Sequence, residues 1–179
     1  LQLSYYVINH NPRDKLLCYL FFSIFANSFI EKKNETMTHV YDNILGLIGN
    51  TPLVKINKVT KDIPANVYAK LESYNPGHST KDRIAIHIIE AAEKKGLLNP
   101  DSTIVETTSG NTGFSLAMVC IIKGYKCVLA VSNKTKEEKI AYLKALGATV
   151  YICPANVPAD DPRSYYEVAK RIARETPNS

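Results

Sequence analysis

The chain has 179 residues, enough for one ordinary domain with a core of its own. Its 45% hydrophobic and 22% charged residues are those of a soluble globular protein and exclude collagen-like and disordered classes. The net charge of +5 comes from lysines spread along the chain, without the concentrated basic patch of a dedicated nucleic-acid binder.

The chain begins at Leu1, and residues 16–30 form an apolar, aromatic-rich run behind Arg13 and Lys15. The run resembles the apolar region of a signal peptide and is short for a transmembrane helix, and no small-x-small cleavage pattern follows it. Met37 stands just before the first regular pattern, so residues 1–36 are read as an upstream extension, not native or else disordered, and 37–179 as the folded portion. The competing reading is a targeting leader. Cys18, Cys120, Cys127 and Cys153 show no close paired spacing. That pattern suggests neither a disulfide framework nor a zinc site, and it fits a reducing cytoplasm.

Residues 51–56 and 67–71 are short strand-like runs. Ile84, Ile88, Ile89 and Ala92 recur at helical spacing, with Lys94 and Lys95 in the last turn and Gly96 beyond it. Residues 103–106 read as a buried strand. Residues 111–123 are apolar nearly all round, which predicts a deeply buried helix ended by Gly124. Residues 126–131 form the next strand. Thr135 with Glu138 has the spacing of a capping box for a helix carrying Ile140, Leu143 and Leu146 and stopped by Gly147. Residues 149–153 are a further strand. Asp161-Pro162 offers an N-cap and a first-turn proline for a last helix with Tyr165, Val168, Ala169 and Ile172 on its apolar face. The alternation predicts an α/β fold, a parallel sheet with helices on both faces, whose ligands sit at the carboxyl ends of the strands.

Two motifs carry chemistry. In Asn75-Pro76-Gly77-His78-Ser79-Thr80-Lys81-Asp82-Arg83, a Pro-Gly turn leads into a helix that starts near Lys81. The positive dipole end there, with partial burial, favours the neutral amine needed to attack an aldehyde. Alone, such a lysine is more often solvated surface. In Thr107-Thr108-Ser109-Gly110-Asn111-Thr112-Gly113, hydroxyls, glycines and free N–H groups crowd a helix start, a natural seat for a carboxylate. Alone, that loop is equally well a helix cap.

Together, Asn-Pro-x-x-Ser-x-Lys-Asp-Arg and Thr-Ser-Gly-Asn-Thr-Gly closely resemble the cysteine synthase and cystathionine β-synthase family. These are pyridoxal-phosphate enzymes of fold type II, the tryptophan synthase β-like class. Ile48-Gly49-Asn50-Thr51-Pro52-Leu53-Val54 resembles the family's opening segment, and Leu146-Gly147-Ala148 also fits. The likeness runs from about Tyr41 to the end, and residues 161–179 look more like the cystathionine β-synthase branch.

The resemblance implies that Lys81 holds pyridoxal 5'-phosphate and then moves the substrate α-proton. Asn111 would bond the cofactor's ring oxygen, while Thr108, Ser109 and Thr112 would grip the amino-acid carboxylate. It implies β-replacement on serine with homocysteine as nucleophile, or on O-acetylserine with sulfide, by a parent protein that is a lyase or transferase. The expected partners are small amino-acid and thiol substrates, with neither nucleic acid nor membrane, and the parent protein is expected to be a homodimer. The family's glycine-rich phosphate loop has no counterpart after Gly147, so the 179-residue piece is expected to be truncated and inactive alone. A non-catalytic, partner-binding fragment is the alternative from another class. Asp82 and Arg83 are expected to be structural, as a helix-start acid and a packing ion pair. His78 is expected to be a solvated or capping imidazole, and the cysteines of the apolar elements are expected to pack the core.

Overall fold

A computed structural model describes residues 40–108 and 110–179. The proposed upstream extension of residues 1–36, Cys18 and Ser109 lie outside the described residues. Five strands are seen among those residues: β1 (Leu53–Lys55), β2 (Tyr68–Lys70), β3 (Thr103–Thr107), β4 (Lys126–Ser132) and β5 (Thr149–Cys153). Four helices accompany them: α1 (Lys81–Lys94), α2 (Asn111–Lys123), α3 (Glu137–Ala145) and α4 (Tyr165–Glu175). Short 3-10 turns occupy Ile44–Leu47 and Glu72–Tyr74. β1 and β2 pair antiparallel, with Val54 opposite Ala69. β3, β4 and β5 form a parallel sheet in that order, with Val105 opposite Val128 and Ala130 opposite Tyr151.

Side chains alternate across a strand, so β4 feeds two cores. Cys127, Leu129 and Val131 pack with Ala117 and Cys120 of α2 and with Ile140 and Leu143 of α3. Ala130 faces the other way, onto Val168 and Ala169 of α4. The predicted parallel sheet with helices on both faces is therefore what the chain builds. The need for α2 to be apolar all round follows from the same layering. Its Ala117 and Cys120 meet β4, while Leu116 and Val119 meet Ala85 and Ile89 of α1.

Glycines end the helices where the sequence places them. Gly96, Gly124 and Gly147 have φ of 67°, 83° and 82°, a left-handed conformation that side chains resist. Three expectations are corrected. Thr135 does not cap α3: Lys136 is its N-cap, without a side-chain bond, and the Thr135 N–H closes a turn on Ser132 O at 2.9 Å. Asp161 does not cap α4: Ser164 does, accepting from Glu167 N at 3.2 Å, while Asp161 holds the preceding turn by accepting from Arg163 N at 2.8 Å. On α1, the buried stripe is Asp82, Ala85 and Ile89, and Ile84 and Ile88 are exposed. Buried Asp82 turns the helix by one position relative to its apolar pattern, and its hydrogen bonds compensate for burial of a polar group.

Candidate active site

The loop before α1 is built around Asn75, which is 1% exposed. Its Oδ1 accepts from Gly49 N at 2.8 Å, and its Nδ2 donates to Glu72 O at 2.9 Å and Ser79 O at 3.1 Å. Residues 48–54 thus act as a buttress for this loop. Arg83 strengthens it with Nε to Glu72 Oε2 at 2.8 Å, Nη2 to Glu72 Oε1 at 2.9 Å and Nη2 to Gly49 O at 3.0 Å. The Arg83 hydrogen bonds, with help from Thr51 and Asn75, hold the Glu72 carboxyl down to about 2.

Asp82 is fully buried, where an ion pair was expected. Its Oδ2 accepts from Gly77 N at 2.6 Å and its Oδ1 from Ser115 Oγ at 2.5 Å. The ion pair of this segment belongs to Arg83, with Glu72. A Cβ on Gly77 would collide with the Asp82 carboxyl, so only glycine permits this approach.

Lys81 opens α1, with its N–H on Ser79 Oγ at 3.1 Å. Its half-buried amine has no hydrogen-bond partner among the described residues. The second loop joins β3 to α2 and is closed by Thr108. The Thr108 Oγ1 accepts from Gly110 N at 3.2 Å and Gly113 N at 3.0 Å, and its proton points to Gly110 O at 3.2 Å. The buried Thr108 hydroxyl is therefore engaged within its own turn. Asn111 and Thr112 occupy the first turn of α2, where helix N–H groups lack intrahelical partners. The exposed Asn111 carboxamide has no side-chain partner among the described residues.

Both loops line one cavity of about 230 Å³. Gly77 and His78 come from the first, and Thr108, Gly110 and Asn111 from the second. Phe114, Val131 and Leu143 make an apolar floor, while Thr135, Lys139 and Tyr142 close the side formed by α3 and its approach. Lys81 lies three residues beyond His78 and is not itself in the lining. Sequence reasoning missed Thr135, Lys139 and Tyr142, since nothing local marks a residue of a helix or of the turn before it as facing a distant loop. It also read His78 as solvent-facing or capping. The ring does make a local bond, Nδ1 to Ser73 O at 2.9 Å, but it also forms part of the cavity wall.

The cavity lining offers a free carboxamide, helix-start backbone and an apolar floor, and the Lys81 amine, which lies outside that lining, has no hydrogen-bond partner among the described residues. That set fits a flat, anionic aldehyde such as pyridoxal phosphate at its ring and aldehyde end. The cysteines among the described residues are not nucleophile candidates. Cys120, Cys127 and Cys153 are buried. The hydrogen bond to Cys127, together with burial, pushes the Cys120 thiol up, and burial pushes up that of Cys153. No three-residue cluster of metal ligands occurs among the described residues. No helix among them is long and apolar enough to cross a membrane.

Comparison with known proteins gives a family match, described as "Pyridoxal-phosphate dependent enzyme", over residues 44–179. Cystathionine beta-synthase of Apis mellifera is 46% identical over 149 residues, 82% of this chain and 30% of that protein. Cysteine synthase 1 of Emericella nidulans is 46% identical over 132 residues, 74% of this chain and 35% of that protein. The chain thus spans about a third of the length of these curated relatives. A crystal structure of a hydrogen sulfide-producing enzyme from Fusobacterium nucleatum superimposes with a TM-score of 0.69 at 38% identity, over 79% of this chain and 45% of that one.

Proposed function

Since the chain belongs to the pyridoxal-phosphate dependent enzyme family, we propose that it supplies the lysine and asparagine side of an active site for β-replacement on serine, with homocysteine as the nucleophile. The observation that carries this reading is one cavity walled both by the loop that leads into Lys81 and by the loop that leads into Asn111. When bound, the cofactor supplies an electron sink for the bond broken at the substrate α-carbon. Lys81 would hold it through Nζ and then move the α-proton at the same atom. Asn111 Nδ2 would donate to the ring oxygen. The N–H groups and hydroxyl at the start of α2, Thr112 included, would bind the carboxylate together with Ser109. Thr108 would act there by keeping the turn in shape, because its hydroxyl is engaged with Gly110 and Gly113.

The cysteine synthase reading, O-acetylserine with sulfide, is supported by a cysteine synthase relative of equal identity. Turnover of homocysteine against sulfide by the complete gene product separates the two. We place the folded portion at residues 37–179 and the protein in the cytoplasm, as a homodimer acting on small amino acids and thiols. No glycine follows Gly147 in these 179 residues, so by themselves they are proposed to hold the cofactor weakly and to be inactive. Adding pyridoxal phosphate to the 179-residue polypeptide and to the complete gene product, with Lys81→Ala as control, tests the whole reading. The expected result is a lysine-dependent visible absorbance band that is strong only in the complete protein. A full-strength band from the 179-residue polypeptide would refute the inactivity claim, and a band indifferent to Lys81→Ala would refute the assignment of the lysine.

A further inference from the structure

We propose that Asp82 is a positioning residue which, through Ser115, sets the start of α1 at Lys81 against the start of α2 at Asn111. The inference rests on the reading that Lys81 and Asn111 hold the same cofactor. A carboxyl in the first turn of a helix ordinarily reaches water, and Asp82 instead is 0% exposed. Its two oxygens join segments far apart in sequence: Oδ2 takes the Gly77 N–H at 2.6 Å, and Oδ1 takes the Ser115 hydroxyl at 2.5 Å. Ser115 Oγ also stands 3.0 Å from Asn111 O, in the first turn of α2. The single Ser115 proton goes to Asp82, so the bond from α1 lands one turn into α2 from Asn111 and reaches that residue through the helix backbone. Successive residues on a helix are about 100° apart, so anchoring Asp82 inward rotates its neighbour Lys81 to the rim of the interior, where it is half-buried.

Packing alone does not explain this arrangement. An apolar side chain of similar volume would fill the space but leave the Gly77 N–H without its acceptor, so the carboxyl fixes one geometry of the loop against both helices. Gly77 answers the same need, since any side chain there would strike the carboxyl.

The test uses the complete gene product and reads the dissociation constant of pyridoxal phosphate by absorbance titration, alongside the urea midpoint of the cofactor-free protein. Ser115→Ala and Asp82→Asn are the informative variants, because each keeps the volume of its site nearly unchanged. Val119→Ala, one turn further along the same α1-facing side of the helix and apolar, is the control for simple loss of stability. Ser115→Ala is expected to weaken cofactor binding about tenfold, as coupled polar neighbours do. The Asp82→Asn/Ser115→Ala double variant should bind no more weakly than the weaker single, because both break one connection. Val119→Ala should bind within about twofold of the parent despite a lower urea midpoint. Wild-type affinity in Ser115→Ala and Asp82→Asn, multiplicative losses in the double variant, or an equal loss in Val119→Ala would each overturn the proposal while leaving the cofactor reading intact. If Lys81→Ala binds like the parent, the cofactor reading falls first and the proposal with it.

Discussion

Gly113 sits in the first turn of α2, buried against the side chain that closes the loop before it, and replacing it with alanine probes how tightly that loop is built. An added Cβ would overlap Thr108 Cγ2 and lie 3.0 Å from Thr108 Cβ and 3.1 Å from its Oγ1. Thr108 cannot swing aside cheaply, because it is buried and its Oγ1 accepts from both Gly110 N and Gly113 N. Alanine gains about 1 kcal/mol over glycine in a helix. Overpacking costs about 1–3 kcal/mol, and loosening the Thr108 hydrogen bonds costs about another 1 kcal/mol. The sum is a net loss of about 2 kcal/mol, which at a urea slope of about 2 kcal/mol/M lowers the midpoint by about 1 M. Equilibrium urea denaturation followed by circular dichroism measures it. The Thr108→Ser/Gly113→Ala double variant keeps the hydroxyl and removes the offending methyl, so it should recover most of the loss. A Gly113→Ala protein that unfolds at or above the parental midpoint would show that the turn yields freely, and the account of Thr108 as the closure of this loop would be wrong.

Lys81→Ala should change the unfolding free energy by about 0.5 kcal/mol or less, read from the urea midpoint, since the amine of this half-buried residue has no described partner, yet it should abolish the absorbance band of bound cofactor. Glu72 is held down to about 2 chiefly by its Arg83 hydrogen bonds, against an ordinary value of 4.5. The stability this represents is present above pH 4.5 and is lost as the pH falls through about 2. Urea midpoints across that window should fall more steeply for the parent than for Glu72→Gln, and parallel curves would contradict the assignment. His78 has φ of 55°, a left-handed conformation that costs a non-glycine residue about 1–2 kcal/mol. His78→Gly should therefore stabilise the protein by roughly 0.5–1 kcal/mol after losing the exposed bond to Ser73, worth about 0.5–1 kcal/mol. A clear loss of stability would mean that the imidazole contributes more to the loop than this single bond.

What could be read from the sequence was local. The limits of α2 follow from its largely apolar run and Gly124, and those of β5 from a short β-branched stretch between turn residues. The two motif loops could be placed beside helix starts because glycines and hydroxyl residues mark such junctions. The capping of α3 and α4 was misread because several polar residues precede each helix, and tertiary packing selects among them. Asp161 and Ser164 are both acceptable caps, and the turn at residues 158–164 gives the role to Ser164. Asp82 was read as a structural helix-start acid, but its burial and its bond to Ser115 were not legible, because that partner lies 33 residues away and looks like an ordinary small helix residue. For the same reason the α3 wall of the cavity was invisible: Lys139 and Tyr142 acquire a role only from what the sheet places across from them.

Far from the cavity, Glu93 accepts from Lys123 Nζ at 2.8 Å and from the Tyr125 hydroxyl at 2.9 Å. Together with Asp82 and Ser115 at the opposite end, this fastens α1 and α2 at both extremities, and the two helices run side by side in the same direction. Rods lashed twice neither splay nor slide independently. The third wall, α3, with Lys139 and Tyr142 exposed at the cavity, has no such side-chain tie to either helix among the described residues and is the wall freest to adjust to a guest.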